Sequence, residues 1–479
     1  MFTSVVINEW RNLLAERSFL VLALVFAMLL GFGIYNGASW IKERSEKSSA
    51  LLVAQKEDLA DKKKKTAEGF EGSFEPGNFV PNPADPYTIG MSLQYAVLPF
   101  TPAAIFAVGQ SDVLPIDAGV TISTLQRTIS DKEIGENPLS FLAGRFDLAF
   151  VIIYLLPLFI LALSFNILSG ERESGILQIL LSQPLTLRGL LTAKVTAQFG
   201  FIYILVTFVT LAGLLISGVS LFAEGFLLRA LLWLALVFAY TLVWFAIAVF
   251  INSFGFSSAT NAVACSAVWL VLVLVLPSLL NIVVSAVYPV PPRSELVAAE
   301  RSVNLDMRKD GKRLLSEHYQ DHPELMPKSE KPDLDDFGLA FVYVQREMKK
   351  RVDEVQERFN QQLAKQQELV GNLRYLSPAI IAGEATNDIA GTGLNRHKHF
   401  RTQVKEFDRS WGEFFVPKIY RLEKLSVEDF DKIPRFEYEE EPVSEVSTRV
   451  GLGILALLLM SAGLMFISFG KLNKYRLDK

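Results

Sequence analysis

One short charged stretch between two long apolar blocks has the most informative residue types and spacing in the sequence. Residues 169–184 read Ser-Gly-Glu-Arg-Glu-Ser-Gly-Ile-Leu-Gln-Ile-Leu-Leu-Ser-Gln-Pro. Ser169-Gly170 is predicted to end the preceding helix, Glu171-Arg172-Glu173 to begin a new one, and Pro184 to end it. Acidic side chains are favourable in a first helical turn because the backbone dipole is positive there. The stretch therefore predicts a short charged helix between two apolar blocks.

The same predicted helix has an apolar edge, since Ile176, Ile179 and Leu180 recur at helical spacing. Arg188 and Lys194 follow the proline and favour a cytoplasmic position for this loop. The candidate coupling residues are Glu171, Arg172, Glu173, Gly175, Ile176, Leu177, Leu180 and Pro184. An ordinary charged loop between two membrane spans is the alternative interpretation.

Catalytic chemistry has no comparable support in the sequence. Gly391-Thr-Gly393 lacks the G-x-x-x-x-G-K-[ST] pattern of a phosphate-binding loop, and that pattern occurs nowhere in the chain. No H-E-x-x-H string and no Ser/His/Asp order indicates hydrolysis. The apolar blocks hold essentially no ionisable residue at their centres, which disfavours a proton-coupled carrier. We therefore expect no enzymatic activity and no cofactor in this chain.

Four histidines raise the question of a metal site. His318 and His322 are spaced i,i+4, and His397 and His399 lie downstream. Pro323 weakens a helix at His322, and alternate residues of a helix point to different faces. Ordinary surface histidines are the favoured interpretation, and metal binding stays open.

Composition indicates a polytopic membrane protein. Of 479 residues, 51% are hydrophobic and 20% are charged, and the apolar residues form blocks near the ~20 residues that a spanning helix needs. The six predicted spans are Ser18–Ser39, Phe146–Leu168, Val195–Val219, Phe226–Ile251, Ser258–Val287 and Gly451–Gly470. A formal net charge of −4 indicates no nucleic-acid partner. The single cysteine, Cys265, excludes a disulfide framework within the chain.

Lys and Arg near the span ends predict the orientation. Arg11, Arg17 and the basic tail from Lys471 to Arg476 belong in the cytoplasm, together with residues 169–194. The two long polar segments then lie outside. The predicted divisions are 1–40 (N-terminal segment and first span), 41–145 (first outer region), 146–287 (spans two to five, with the coupling helix at 169–184), 288–446 (second outer domain) and 447–479 (sixth span and tail).

Two charge-free stretches complicate the span count. Pro86–Ser111 contains Pro99 and Pro102, so we expect a partly interfacial element there rather than a seventh span. Ser253–Pro292 would be ~60 Å long as one helix, about twice the hydrocarbon thickness. A break at Pro277 with a re-entrant or interfacial end is therefore predicted.

The outer segments are expected to be mainly helical. An antiparallel hairpin is predicted from residues 293–320 and from an apolar stripe over 341–373, and residues 42–66 are predicted to extend the first span as a helix. A further helix carries an aromatic stripe, for which packing is favoured over a lipid or hydrophobic-ligand surface. Its members are Phe400, Val404, Phe407, Trp411 and Phe414.

With this topology, the chain resembles ABC-2 type transporter permeases, in a bacterial branch with large periplasmic insertions, one of them between spans five and six. The likeness begins with the coupling stretch. It extends to the strings Gly109-Gln-Ser-Asp112, Leu376-Ser-Pro-Ala379, Asn387-Asp-Ile-Ala-Gly-Thr-Gly393 and Trp411-Gly-Glu-Phe-Phe-Val-Pro417.

The resemblance implies an inner-membrane subunit that works with a second permease, identical or paralogous, and with two ATPase subunits that hold ATP and Mg. It also implies that the coupling helix enters a groove of the ATPase. The family's usual short outer loops are absent, which puts a small-molecule exporter in doubt and favours a periplasmic or outer-membrane partner. Three alternatives stay open: a substrate path, force transmission to periplasmic parts, and a non-transporting sensor or scaffold.

Overall fold

The computed structural model describes residues 2–75, 78–123, 145–182, 186–220, 222–289 and 337–472, with isolated residues between 294 and 320. Among them, six helices are long and apolar enough to cross a membrane. They are span one (Arg17–Ala67), span two (Leu148–Glu173), span three (Leu187–Ile216), span four (Phe226–Asn252), span five (Ser258–Val287) and span six (Val443–Leu472). The prediction of six apolar helices is confirmed.

The other helical segments lie before or between these spans, except α3, which forms the end of span two. They are α1 (Phe2–Ala15), α2 (Pro86–Gly90), α3 (Ser169–Glu173), α4 (Ile176–Leu181), α5 (Phe337–Leu373), α6 (Pro378–Ala390) and α7 (Leu394–Tyr420). Strands β1 (Ser73–Glu75) and β2 (Asn78–Val80) pair antiparallel with Ser73 opposite Val80, and β3 (Gln94–Val97) and β4 (Asp117–Val120) pair antiparallel with Gln94 opposite Val120.

Successive spans run in opposite directions, so their ends gather at two poles. We call the pole that holds the connection between spans two and three the basal end, and the opposite pole the distal end. At the basal end, Arg188 of span three donates to the carbonyl oxygen of Phe469 in span six at 2.6 Å. At the distal end, Asn36 of span one donates to the carbonyl oxygen of Phe146, just before span two, at 2.7 Å. Both long connecting segments, between spans one and two and between spans five and six, therefore leave from the distal end.

Span four lies at the centre of the helix bundle. Trp233, Tyr240, Trp244 and Phe245 are fully buried along its length. Spans three, five and six bury less than a quarter of the residues in their most apolar stretches, and each leaves several large apolar side chains exposed. Exposed apolar surface on this scale is unfavourable in water and suits a lipid or protein environment.

Prolines in spans two and five are accommodated by widened turns. A π turn at Val151–Leu155 precedes Pro157, and another at Val271–Val275 precedes Pro277. Proline removes a backbone donor and clashes with the carbonyl four residues earlier, and a wider turn moves that carbonyl away. Span five runs from Ser258 to Val287, as predicted, and an irregular turn lies directly before Pro277, where the break was expected, although the helix continues beyond it.

The segment 86–111 forms no spanning helix, as expected. It contains α2, β3 and two short 3₁₀ helices, Pro102–Phe106 and Gly109–Asp112. Phe106 is buried and stacks on Trp233 of span four with ring centroids 5.0 Å apart. This segment therefore inserts between the distal ends of the spans.

Span one continues as a single helix to Ala67, which confirms the predicted helix over residues 42–66. Helix α5 confirms the predicted helix over 341–373. Most of the other predicted hairpin arm, residues 293–320, lies outside the described residues. Helix α6 was not predicted, and its apolar face is buried in the same core as the spans.

The aromatic stripe of α7 packs within the chain. Trp411 is fully buried and donates from Nε1 to the carbonyl oxygen of Gly90 at 3.0 Å. Phe415 is buried, whereas the predicted Phe414 is only half-buried. Packing of the stripe within the chain is therefore confirmed, with its register shifted by one residue at the end. Its partner is the segment that contains Ile89 and Gly90, whereas the hairpin or the membrane surface was expected.

Gly33 provides a test of the close contact between spans one and two. A Cβ atom there would lie 2.8 Å from the carbonyl oxygen of Asp147 and 3.1 Å from the backbone nitrogen of Leu148. We expect Gly33→Ala to destabilise the detergent-solubilised protein by roughly 1–3 kcal/mol through overpacking. Heating followed by size-exclusion chromatography measures the loss.

Gly31 is the matched control, since it lies in the same helix and a Cβ there meets no atom within 4 Å. Gly31→Ala should leave the midpoint of thermal aggregation unchanged or slightly raised, because alanine favours helix. Equal midpoints for the two variants would contradict the packing shown at Gly33.

Candidate functional site

The predicted coupling stretch folds as two short helices rather than one. Helices α3 and α4 are separated at Ser174-Gly175, where Gly175 adopts a left-handed φ of +73°. Within span two, the regular helix ends at Ser164, and a turn at 165–168 leads into α3, which forms the end of that span. The predicted stop at Ser169-Gly170 is therefore wrong, and the charged triplet closes a helix instead of opening one.

The change of direction at Gly175 follows from its conformation. Glycine adopts positive φ without the steric cost that a Cβ would add, so it turns the chain between two helices. Pro184, predicted to end the element, lies outside the described residues, and α4 ends at Leu181.

Glu171 binds within the chain. Its Oε1 lies 2.6 Å from Nζ of Lys194 in span three, and the same Nζ lies 3.8 Å from Oε2 of Glu9 in α1. Burial raises the pKa of the Glu9 carboxyl, and the Lys194 ammonium opposes that rise. One lysine thus joins α1, α3 and span three at the basal end.

Arg172 and Glu173 hold the loop between spans four and five. The Arg172 guanidinium donates to the carbonyl oxygens of Gly255 at 2.6 Å and Phe256 at 2.8 Å. Glu173 accepts from the backbone nitrogen of Ser258 at 2.7 Å and from its Oγ at 2.8 Å. A carboxylate at the first backbone N–H groups of span five also faces the positive end of that helix.

A cluster of buried polar side chains adds further hydrogen bonds between spans two, four and five. Asn252, the last residue of span four, donates from Nδ2 to the carbonyl oxygen of Ser164 at 3.2 Å. Asn261 of span five donates from its Nδ2 to Oδ1 of Asn252 at 3.1 Å and to Oγ of Ser169 at 3.2 Å. Sequence reasoning missed these residues, although amides at the ends of apolar blocks are a usable signal because buried polar groups need partners.

The apolar edge of α4 is exposed in part. Ile176 is 48% exposed and Ile179 is 67% exposed, whereas Leu177 is buried and Leu180 is half-buried. The predicted edge is therefore correct for the two isoleucines.

Two exposed phenylalanines lie in the adjoining loop. Phe254 and Phe256 are 44% and 45% exposed and stack with ring centroids 5.5 Å apart. Lys471 of span six places its Nζ 3.4 Å from the centre of the Phe254 ring. Arg172 of α3, the helix before α4, is hydrogen-bonded to the loop that holds both rings. We therefore group Ile176, Ile179, Phe254 and Phe256 and call them the docking surface.

A second polar cluster lies at the distal end around the C-terminus of α6. Arg229, in the first turn of span four and 8% exposed, donates from Nη1 to the carbonyl oxygens of Asp388 at 3.2 Å and Ile389 at 2.7 Å. Thr101 donates to the carbonyl oxygen of Ala390 at 2.6 Å. The last carbonyls of a helix lack intrahelical donors, so these contacts satisfy them.

Two further arginines complete this arginine junction, defined by Arg229, Arg396 and Arg449. Arg396 of α7 is buried, donates to the carbonyl oxygen of Gly391 at 3.1 Å and pairs with the Glu440 carboxylate. Arg449 of span six lies 3.3 Å from Oδ2 of Asp388 and 2.7 Å from Oε2 of Glu441. Sequence reasoning missed these arginines, although Arg229 and Arg449 each stand alone near the start of an apolar block.

The described histidines do not converge. His397 contacts the carbonyl oxygen of Pro115 at 3.0 Å, and His399 contacts that of Glu439 at 3.1 Å. His318 and His322 lie outside the described residues. Within the described part of the chain, no group of three His, Cys, Asp or Glu side chains is placed to hold a metal ion.

A family model matches part of the chain. A family model described as a domain of unknown function, DUF3526, matches residues 293–439. No curated protein matches the chain. The matched range covers less than half of the sequence, and it contains α5, α6 and α7.

His397 predicts a pH dependence of stability. Burial lowers the pKa of its imidazole from 6.5 to about 4, and the nearby Arg401 guanidinium acts in the same direction. Because the unfolded chain binds this proton more readily, the stabilisation is complete above pH 6.5 and is lost as the pH falls towards 4. The loss amounts to at most about 3 kcal/mol. Thermal unfolding from pH 7 to pH 4 measures it.

His397→Gln keeps a donor for the Pro115 carbonyl and removes the titrating ring. We expect a shallower decrease of the unfolding midpoint below pH 6.5 in this variant. His399→Gln is the control and should reproduce the wild-type profile. An unchanged profile in His397→Gln would show that other groups dominate the acid response.

Proposed function

We propose that this chain is the membrane-spanning subunit of an ATP-driven transporter of the ABC-2 type. The sequence resemblance, the six apolar helices and the basic residues at the basal end support this assignment. The chain has no phosphate-binding loop. ATP and Mg therefore belong to a separate ATPase subunit, present in two copies, and a second permease copy or paralogue completes the assembly.

The docking surface is the observation that carries the proposal. Its four apolar side chains are exposed at the basal end, where burial against a partner would remove apolar area from water at about 25 cal/mol per Å². The adjoining charged residues are bound within the chain: Glu171 to span three, Arg172 to the loop between spans four and five, and Glu173 to the start of span five. Because the residues next to the docking surface are bonded to several spans, a partner that binds this surface could transfer its motion to those spans.

This geometry changes the role we assign to the charged triplet. The two glutamates and the arginine hold the docking surface in place, and the isoleucines and phenylalanines supply contact with the ATPase. Charge reversal at Glu171 or Glu173 would therefore disturb the fold of the basal end together with any docking. Substitution of exposed residues gives the cleaner test.

In this proposal the basal end faces the cytoplasm of a bacterial cell and the spans cross the inner membrane. Residues 41–145 and 288–446 then lie in the periplasm. Their size favours transmission of ATPase strokes to a periplasmic or outer-membrane partner over movement of a small substrate. A substrate path between two permease copies is the second candidate, since spans three, five and six expose apolar faces.

The double variant Ile176→Asp/Ile179→Asp tests the proposal. From native membranes, the tagged wild-type chain should co-purify with a nucleotide-binding subunit that hydrolyses ATP. We expect the variant to lose at least ten-fold of both the bound subunit and the ATP turnover, because charge on the docking surface must be desolvated on binding. Mass spectrometry and a phosphate-release assay measure the two quantities.

Val53→Asp is the matched control. Val53 is an apolar helical residue of similar exposure, 53%, in the distal extension of span one. It should retain the ATPase subunit and its turnover. Wild-type chain that purifies without any ATPase would refute the transporter proposal and favour a sensor or scaffold. Equal recovery with the double variant would place docking elsewhere.

A further inference from the structure

We infer that span four is a rigid strut that joins the docking surface to α6, so that displacement at the basal end moves residues 377–446 at the distal end. The source of that displacement rests on the proposed function. The rigidity of the connection rests on the contacts that spans four and six make with α6, and needs no ATPase.

The basal end of the strut is fixed to the coupling stretch. Asn252 donates to the carbonyl oxygen of Ser164 at 3.2 Å, and its Oδ1 accepts from the backbone nitrogen of Leu168 at 3.5 Å. Three residues later in the chain, the Gly255 carbonyl accepts from Arg172. Motion of α3 and α4 therefore acts directly on the last turn of span four.

Span four contains none of the residues or turns at which helices usually bend. Of the six candidate spans, span four is the only one without glycine or proline. Sharp helix bends occur mostly at such residues or at π turns, and spans two and five contain both proline and a π turn. Burial and the bond from Tyr240 Oη to the Ile153 carbonyl oxygen, 2.7 Å, restrict span four further. Its 27 residues extend about 40 Å.

The distal end of the strut holds α6. Arg229 donates to two carbonyl oxygens in the last turn of α6, where the helix dipole is negative. Arg449 of span six binds the Asp388 carboxylate from another side. Arg396 then connects the end of α6 to α7 and to Glu440. Span four, span six and α6 are thus one body that carries residues 377–446.

A designed disulfide tests whether α6 and span six move together. A Cβ atom at position 453 would lie 3.8 Å from Cβ of Ala385, the mean distance in disulfides. We place Ala385→Cys and Gly453→Cys in a Cys265→Ser background, so that no other thiol is present. Oxidation should cross-link the full-length chain in the presence and absence of nucleotide, and ATP turnover of the complex should stay within two-fold.

Turnover that stops on oxidation and returns on reduction would show that α6 slides against span six, and would overturn the single-body inference. The same holds for a cross-link that forms in only one nucleotide state. The cross-link in the isolated chain needs no ATPase. Failure of the proposed function, seen as an absent ATPase subunit, is therefore distinct from failure of this inference.

Arg229→Leu tests the transmission itself. In the wild-type complex we expect ATP with vanadate to change hydrogen–deuterium exchange in residues 377–446. The variant should lose at least three-quarters of that change while it retains the ATPase subunit. Arg229→Lys, which keeps the charge but loses the planar pair of donors, should lose an intermediate share.

Arg374→Leu is the matched control. Arg374 also pairs with α6, through Glu384 at 3.0 Å, but it lies outside the strut, in the turn after α5. It should keep the wild-type exchange response. An intact response in Arg229→Leu, or no response in the wild-type complex, would overturn the inference.

Discussion

The attachment of Glu171, Arg172 and Glu173 to neighbouring chain ends organises the basal end. These residues bind Lys194, the carbonyls of Gly255 and Phe256, and Ser258. Without Arg172 and Glu173, two carbonyl groups and one N–H group between spans four and five would lose their partners, and without Glu171 the Lys194 ammonium would lose its nearer carboxylate, which is costly for groups that are partly buried. The exposed isoleucines and phenylalanines of the docking surface keep their positions because this polar layer lies beneath them.

At the distal end, too, side chains from other helices bind the backbone groups at a helix end, but the residues are different. Helix α6 is short and apolar, and its last carbonyls receive donors from Arg229, Thr101 and Arg396. Both poles thus satisfy helix-terminal backbone groups with side chains from other helices. Span four takes part at both poles, through Asn252 and Arg229, and its freedom from glycine and proline makes it the stiffest connection between them.

Irregular turns are placed where the sequence requires them. Spans two and five meet their prolines with π turns, and Gly175 separates α3 from α4 through positive φ. Proline identity predicted an irregularity in span five but not its form. The π turn lets the helix continue past its proline, whereas a charge-free stretch of 40 residues gives no sign in the sequence of where such a turn forms.

The sequence by itself determined the number of apolar helices, their alternating direction, the helix that extends span one and the apolar edge at Ile176 and Ile179, because hydrophobic length and spacing are local properties. It did not reveal α6, the arginine junction or the true partners of Glu171, Arg172 and Glu173. Those depend on which donors meet which acceptors between segments far apart in the chain, as Arg172 meets Gly255 and Arg396 meets the carbonyl of Pro99. Only tertiary packing decides such pairs, since a buried polar group accepts whichever partner the fold brings within hydrogen-bonding distance.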